Sequence, residues 1–268
     1  MNPNATANMA TRGHSRQPAV VRQRMPVIGV PIDVLSPAGA VDRISLWSAQ
    51  GASRVVCICN VHSVVTASQD PSFHAAISAA DMATPDGAPV AWMMRRLGVP
   101  QQYRVSGPDL MHDYCAAAAQ RGEPIFLYGS TPETLATLTQ LLPARFPGLR
   151  IAGSWSPPFR APTPDEDAAD VERINRSGAG TVWVSLGCPK QERWMTDHRG
   201  RVNAVMIGVG AAFDFHAGTV VRAPAWMRRH GLEWLHRLVS EPRRLARRYF
   251  VTNTVFILRA AWQLVRRI

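Results

Sequence analysis

Short apolar runs that end in glycine and lead into helical patterns recur along this chain, and that alternation constrains its fold more than any single residue does. Val55-Val56-Cys57-Ile58-Cys59 is β-rich and reads as a buried strand. Residues 61–80 read as a helix that Asp70-Pro71 breaks or restarts. A short Met82-Ala83-Thr84 segment then leads to the turn Pro85-Asp86-Gly87 and a helix through Trp92 and Leu97. Residues 124–128 form a strand closed by Gly129, after which Ser130-Thr131-Pro132-Glu133 opens a helix with Ser130 as cap and Glu133 reaching back. Further strands are expected at 149–153, at 181–186 before Gly187, and at 204–209 ending in Gly208-Val209-Gly210. Helices are expected at 165–176, with acids in the first turn, and from near Pro189. The prediction is an α/β fold: a Rossmann-like, mostly parallel sheet with helices on both faces, plus a C-terminal helical arginine-rich appendage.

The 268 residues suffice for one large domain or two small ones, and 46% hydrophobic with 18% charged residues excludes disorder for the whole. The net charge of +11 lies at the ends. Residues 1–24 hold four arginines and no acid; residues 222–268 hold eleven arginines against Glu233 and Glu241. The expected division is a disordered basic tail (1–25), an α/β core (26–221) and an amphipathic appendage (222–268). This pattern excludes a uniformly basic nucleic-acid coat protein. In the appendage Trp226, Leu232, Trp234, Leu238, Phe250 and Trp262 interleave with Arg at helical spacing, with a break at Pro242. Such a segment suits an anionic membrane surface; it could also bind nucleic acid or pack on its own domain. Its Leu and Trp content favours the membrane over nucleic acid, because an arm that tracks phosphates does not need so much apolar surface.

Cys57, Cys59, Cys115 and Cys188 do not make a disulfide framework, and the plain reading is small buried hydrophobes in a reducing compartment. On a strand, Cys57 and Cys59 would share one face. The first 24 residues lack a continuous apolar stretch, so no secretory signal is read there. No run approaches the roughly 18 apolar residues of a spanning helix. The expectation is a cytoplasmic protein.

Ligands of open parallel sheets sit beyond the carboxyl ends of the strands. Gly129-Ser130, Gly187-Cys188 and Gly208-Val209-Gly210 mark three such ends, and helix starts there can receive phosphate. Glycines also end strands in any α/β fold, and neither GxGxxG nor GxxxxGK[ST] is present. Asp86 lies at the ligand-bearing edge, where a general base belongs, although Pro-Asp-Gly is also an ordinary turn. Asp165-Glu166-Asp167 contains a DxD, but it opens a helix instead of closing a strand; no metal is inferred, and no cofactor. Lys190 is the one lysine, and Gln191 beside it could meet a sugar or nucleotide edge. The histidines show no metal-ligand spacing.

Taken in order, seven segments resemble one family: Cys59-Asn60-Val61-His62-Ser63, Ala83-Thr84-Pro85-Asp86-Gly87, Arg104-Val105-Ser106-Gly107-Pro108-Asp109-Leu110, Phe126-Leu127-Tyr128-Gly129-Ser130-Thr131-Pro132-Glu133, Leu186-Gly187-Cys188-Pro189-Lys190-Gln191-Glu192, Gly208-Val209-Gly210-Ala211-Ala212-Phe213-Asp214 and Arg222-Ala223-Pro224. Over about residues 26–250 the chain resembles the WecG/TagA/CpsF bacterial glycosyltransferases. The resemblance implies transfer of a sugar from a UDP-sugar donor onto a polyprenyl-diphosphate-linked sugar acceptor, with inversion and without a metal, at the cytoplasmic face of the membrane. It implies Asp86 as base, with Asn60, Arg104 and Gln191 in the same pocket and Asp214 near the nucleotide. The strand-end residues Gly129, Ser130, Gly187 and Gly210, with Arg222, complete the expected substrate-binding set. The appendage is expected to hold the enzyme on the membrane and help complete the site, and it could equally bury itself in a homo-oligomer. Ile58 stands where better-known members often have Thr, and Val61-His62 where many have Ala-Glu. Within the family the chain looks closest to the xanthan-type GumM glucosyltransferases, with UDP-glucose as donor; the N-acetylmannosaminyl transferases are the alternative. Outside it, a non-catalytic nucleotide-binding regulator and a nucleic-acid-binding protein are the rival classes.

Overall fold

The computed structural model describes residues 22–266. Most of the expected basic tail, and residues 267–268, lie outside the described residues. An antiparallel hairpin comes first, β1 (Arg24–Val27) and β2 (Val30–Asp33). Then follow α1 (Pro37–Ala49), β3 (Arg54–Cys59), α2 (Val61–Ala67), α3 (Pro71–Ala79), β4 (Met82–Pro85), α4 (Ala88–Arg96) and α5 (Gly107–Arg121). The second half runs β5 (Pro124–Gly129), α6 (Pro132–Arg145), β6 (Arg150–Trp155), α7 (Pro164–Arg176), β7 (Thr181–Ser185), α8 (Lys190–Asp197), β8 (Val205–Gly208) and α9 (Ala212–Ala217). Three helices close the chain: α10 (Ala225–Arg229), α11 (Glu233–Ser240) and α12 (Pro242–Val265).

Strands β3 to β8 form one parallel sheet in the order β4-β3-β8-β7-β5-β6. Alternation along β3 sends Val55, Cys57 and Cys59 into one apolar cluster and Val56 and Ile58 into another. The sheet is therefore buried on both faces, as parallel sheets with helical crossovers are. Cys57 and Cys59 share a face as expected, and all four cysteines are free thiols.

Asp70 restarts the helix after residue 67: its carboxylate accepts from Ser72 N and Phe73 N, and Pro71 takes the first turn of α3. The expected cap at Ser130 is corrected by one residue. Thr131 is the cap of α6 and accepts from Thr134 N at 3.2 Å, while Ser130 turns left-handed with φ +60°.

The hairpin, α1 and α5 have no counterpart among the elements expected from the pattern. The hairpin strands are four residues each and carry Pro26 and Pro31, too short and too broken for a period to show. A buried carboxylate fixes them: Asp33 accepts from Arg22 at 2.6 and 2.7 Å and from Ala83 N of β4 at 2.6 Å. Arg24 donates to the carbonyls of Ser78 and Ala80. Two arginines of the expected tail thus tie β1 against the segment that leads to Asp86.

The appendage lies against the core. Phe256 and Ala260 of α12 are buried in the same cluster as Cys59. Gln263 donates to Pro26 O and accepts from Ile28 N, and Arg259 donates to Ser68 O at the end of α2. Pro242 sits at the start of α12, where its missing N–H costs nothing, so the expected break falls there. Among the described residues no helix is long and apolar enough to cross a membrane.

Candidate active site

Five adjacent strands deliver their carboxyl ends to one cleft of about 660 Å³. Asp86 follows β4, Asn60 follows β3, Gly210 lies just beyond β8, Gly187 beyond β7, and Ser130 follows β5. The C-terminal helices supply the opposite wall through Glu233, Trp234, Arg237, Arg248 and Tyr249. Of the residues expected from the sequence, Asp86, Asn60, Arg104, Gln191, Asp214, Ser130, Gly187 and Gly210 line this cleft. Gly129 and Arg222 do not. Gly129 (φ +98°) packs so closely on the Ser185 carbonyl that a Cβ would collide with it, which is a demand of the sheet and not of a ligand. Arg222 is spent on ion pairs, with Asp109 at 2.8 Å and Glu233 at 3.4 Å.

The Asp86 backbone N–H donates to Cys59 O at 3.0 Å, which pins the turn to β3 and leaves the side chain in the cleft. Desolvation pushes its carboxyl up to about 6; Arg104 opposes the rise, while Glu233 and Asp109 add to it. Arg104 itself donates to Glu233 at 2.8 Å and to Asp109 at 3.2 Å. Asp109 also accepts from Ser106 Oγ at 2.5 Å. Around Asp86, therefore, arginines and acids from α5, α11 and the intervening segments balance one another.

Asn60 Oδ1 caps α2 by accepting from Ser63 N at 3.1 Å, which leaves its Nδ2 donors for a ligand. Gln191 is buried and its amide is used at both ends: Oε1 accepts from Gly210 N at 3.1 Å, and Nε2 donates to Glu192 at 2.9 Å. Its role is to shape the loop after β8. No side chain caps α4 or α8, but the Gln191 N–H at the start of α8 is taken by Gly187 O at 2.8 Å and Pro89 leaves a gap in the first turn of α4. Ser130 carries a left-handed backbone that only surrounding structure can hold in a non-glycine residue.

The DxD acids serve the fold. Thr163 and Glu166 form a capping box on α7, Arg160 pairs with Glu166, and Asp167 accepts from His198 and Arg201 at 2.8 and 2.6 Å. Lys190 is exposed at the start of α8 and does not line the cleft. Among the described residues no group of three His, Cys, Asp or Glu side chains could hold a metal ion.

Sequence reasoning missed Glu233, Asp109, Arg237 and Arg248 as members or neighbours of the site, and noted His62 only as a departure from the family at a strand end that would face a sugar. Glu233 had a signal, as one of two acids in an arginine-rich segment. Asp109 stood in the quoted Ser-Gly-Pro-Asp run. Nothing local distinguishes Arg237 and Arg248 from their many arginine neighbours. His62 lines the cleft with its pKa lowered by burial and then by the charge of Arg248.

Residues 25–268 match the Glycosyl transferase WecG/TagA/CpsF family, a span that takes in the core and the appendage alike. The chain belongs to the WecG/TagA/CpsF glycosyltransferase family.

Proposed function

We propose that this glycosyltransferase moves a hexose from a UDP-sugar, with UDP-glucose the expected donor, onto a polyprenyl-diphosphate-linked sugar at the cytoplasmic membrane face. The reaction inverts the anomeric centre and serves exopolysaccharide or cell-surface glycan assembly. UDP-N-acetylmannosamine, or its uronic acid, is the alternative donor. The observation that carries this reading is the placement of Asp86 in the strand-end cleft, desolvated and beside Arg104.

The chemistry follows from the groups present. An acceptor hydroxyl attacks the anomeric carbon from the face opposite the nucleotide, and Asp86 takes its proton as the new C–O bond forms. A carboxylate with pKa about 6 is still largely ionised at neutral pH and is a stronger base than an ordinary aspartate. The bond to the UDP oxygen breaks and leaves charge on the diphosphate. Arg237 and Arg248, which line the cleft from the appendage, are placed to stabilise that charge. Asn60 Nδ2 can hold a sugar hydroxyl.

The test is a donor screen on the full chain with a polyprenyl-diphosphate-glucose acceptor. UDP-glucose, UDP-N-acetylmannosamine and UDP-glucuronic acid run in parallel with EDTA present, beside the Asp86→Asn variant. Turnover with UDP-glucose that the variant loses while still binding UDP supports the reading. Full turnover by Asp86→Asn removes the base assignment, and a requirement for added metal removes the arginine assignment.

A further inference from the structure

Arg104 is a wall between two cavities. Beyond it lies a second hollow of about 390 Å³ between α4, the segment 100–104 and α10, and the two cavities share Ala88, Arg104 and Gly231. Gly231 has φ +73°, and a Cβ there would fall 2.5 Å from that of Ala88, so the end of α10 is pressed onto the start of α4. Four arginines line the hollow, Arg95, Arg104, Arg228 and Arg229, and no carboxylate does.

Arg104 is paired with Glu233 and Asp109, but the other three are poorly neutralised among the described residues. Arg229 is exposed and has no hydrogen-bond or ion-pair partner there. Arg95 donates to the Gln102 carbonyl at 2.9 Å and meets no acid. Arg228 reaches only Asp109, at 3.7 Å, on an oxygen that Arg222 already holds at 2.8 Å. Its Nε is buried without a partner, a state that costs free energy until an acceptor arrives. Arg95, Arg228 and Arg229, with only the shared and more distant Asp109 to oppose their charge among the described residues, match a polyanion with several terminal oxygens, a diphosphate above all.

We infer that this hollow seats the diphosphate of the lipid-linked acceptor, on Arg95, Arg228 and Arg229. The inference rests on the transferase reading above and names the subsite where its acceptor is anchored. With the diphosphate on one side of Arg104 and Asp86 on the other, the attached sugar spans the shared wall and presents its hydroxyl to the base. The prenyl chain leaves past exposed aromatic surface: Tyr103 on the rim is 61% exposed and Trp226 of α10 is 54% exposed. An anionic phospholipid headgroup offers related chemistry, so the test must separate the two sources.

The experiment is calorimetric titration of the full chain with farnesyl diphosphate, with saturating UDP to fill the donor site. Farnesol and vesicles containing phosphatidylglycerol are the comparison ligands. Arg229→Gln, at an exposed side chain with no partner to lose, and Arg95→Gln should each weaken farnesyl diphosphate binding by roughly tenfold to a hundredfold. UDP affinity and the melting temperature should stay at wild-type values. Unchanged farnesyl diphosphate affinity in both variants overturns the inference, as does farnesol binding as tightly as the diphosphate. Loss of vesicle binding with farnesyl diphosphate binding intact assigns the arginines to phospholipid and also overturns it. If arginine-dependent diphosphate binding survives in a protein that binds no UDP and turns over no donor, the anion seat stands and the transferase reading fails.

Discussion

Arg104 donates from Nη1 to Glu233 Oε2 at 2.8 Å, so the cation that faces Asp86 is held by an acid of the appendage. Asp86 and the appendage are thereby electrically coupled. Glu233 raises the proton affinity of Asp86 directly, and it offsets part of the Arg104 charge that would lower it. A helix outside the sheet tunes the group at the end of β4.

Glu233→Gln should therefore make Asp86 a weaker base. Burial keeps its carboxyl high, but the like-charge contribution of Glu233 is gone and Arg104 acts on it with less opposition; Asp109 alone still adds to the rise. The acidic limb of the kcat/KM profile, expected near pH 6 in the wild type, should move to lower pH, because the required ionised form persists further down. A pH–rate series on the variant checks this. A limb that stays in place would show that the profile reports another group.

Asp86 should also lower the stability of the fold in which it works. Its folded pKa of about 6 exceeds the ordinary value of 3.8, so the folded state binds the proton more tightly. Stability contributed by protonated Asp86 is present at low pH and is lost as pH rises from about 4 through about 6. At pH 7.5 Asp86→Asn should then be more stable by about 1–3 kcal/mol, with little difference at pH 4. Melting curves at both values decide it; equal shifts at the two would point to packing instead of charge.

The strands that carry the site were legible because parallel strands are continuous apolar runs, and glycine marks their ends: residues 124–129 and 181–186 stand out for that reason. The strand-end positions of Asp86 and Asn60 were legible, while their expected roles came from the family segments and not from the turn or strand alone. Gly129 was misread as a ligand residue, since a left-handed glycine against a neighbouring carbonyl and one against a phosphate look alike in sequence. The acids that surround Arg104 were not legible as a set. Asp109 and Glu233 lie 124 positions apart, and only the docking of α11 brings both to one guanidinium. The hairpin was invisible because what fixes it is the buried Asp33, which no short period announces.

Glu192 offers a second pH-dependent signature, beneath the cleft. Burial pushes its carboxyl up to about 7, although hydrogen bonds from Gln191 and Cys188 oppose the rise. The sign is that of Asp86: stability is lost as pH rises from about 4.5 through about 7. Glu192→Gln should keep an acceptor for Gln191 and flatten that loss, so the variant melts higher than wild type at pH 8.5 and near it at pH 5. Glu192→Leu should release Gln191 from its anchor and weaken UDP binding through the Gly210 loop. Wild-type UDP affinity in the leucine variant would disconnect Gln191 from the nucleotide.

Gly129→Ala should damage the sheet. The position requires φ +98°, and the added methyl would meet the Ser185 carbonyl where β5 pairs with β7. A strained backbone and a steric clash together should cost about 2–4 kcal/mol. A urea titration measures this as a lower midpoint with an unchanged slope. Thr131→Ala, two residues on, loses only a helix cap and should cost about 1 kcal/mol. A smaller loss at Gly129 than at Thr131 would contradict the packing argument.

The outer face of α12 is the remaining feature to be satisfied. Thr252, Phe256 and Ala260 form the buried stripe, at helical spacing. On the other side Phe250, Ile257, Leu258 and Trp262 are 59–76% exposed, with arginines at both ends of the helix. The apolar stripe would enter the lipid boundary while the arginines meet anionic headgroups. Each such side chain contributes about 1.5–3 kcal/mol when fully removed from water. Ile257→Glu with Leu258→Glu should therefore abolish flotation with phosphatidylglycerol liposomes, leaving at most a residue that added salt removes. UDP affinity should not change, because these positions do not line the cleft. Undiminished flotation would separate this face from the membrane. If instead the substitutions convert a sedimenting dimer to monomer, the stripe belongs to a second copy of the chain.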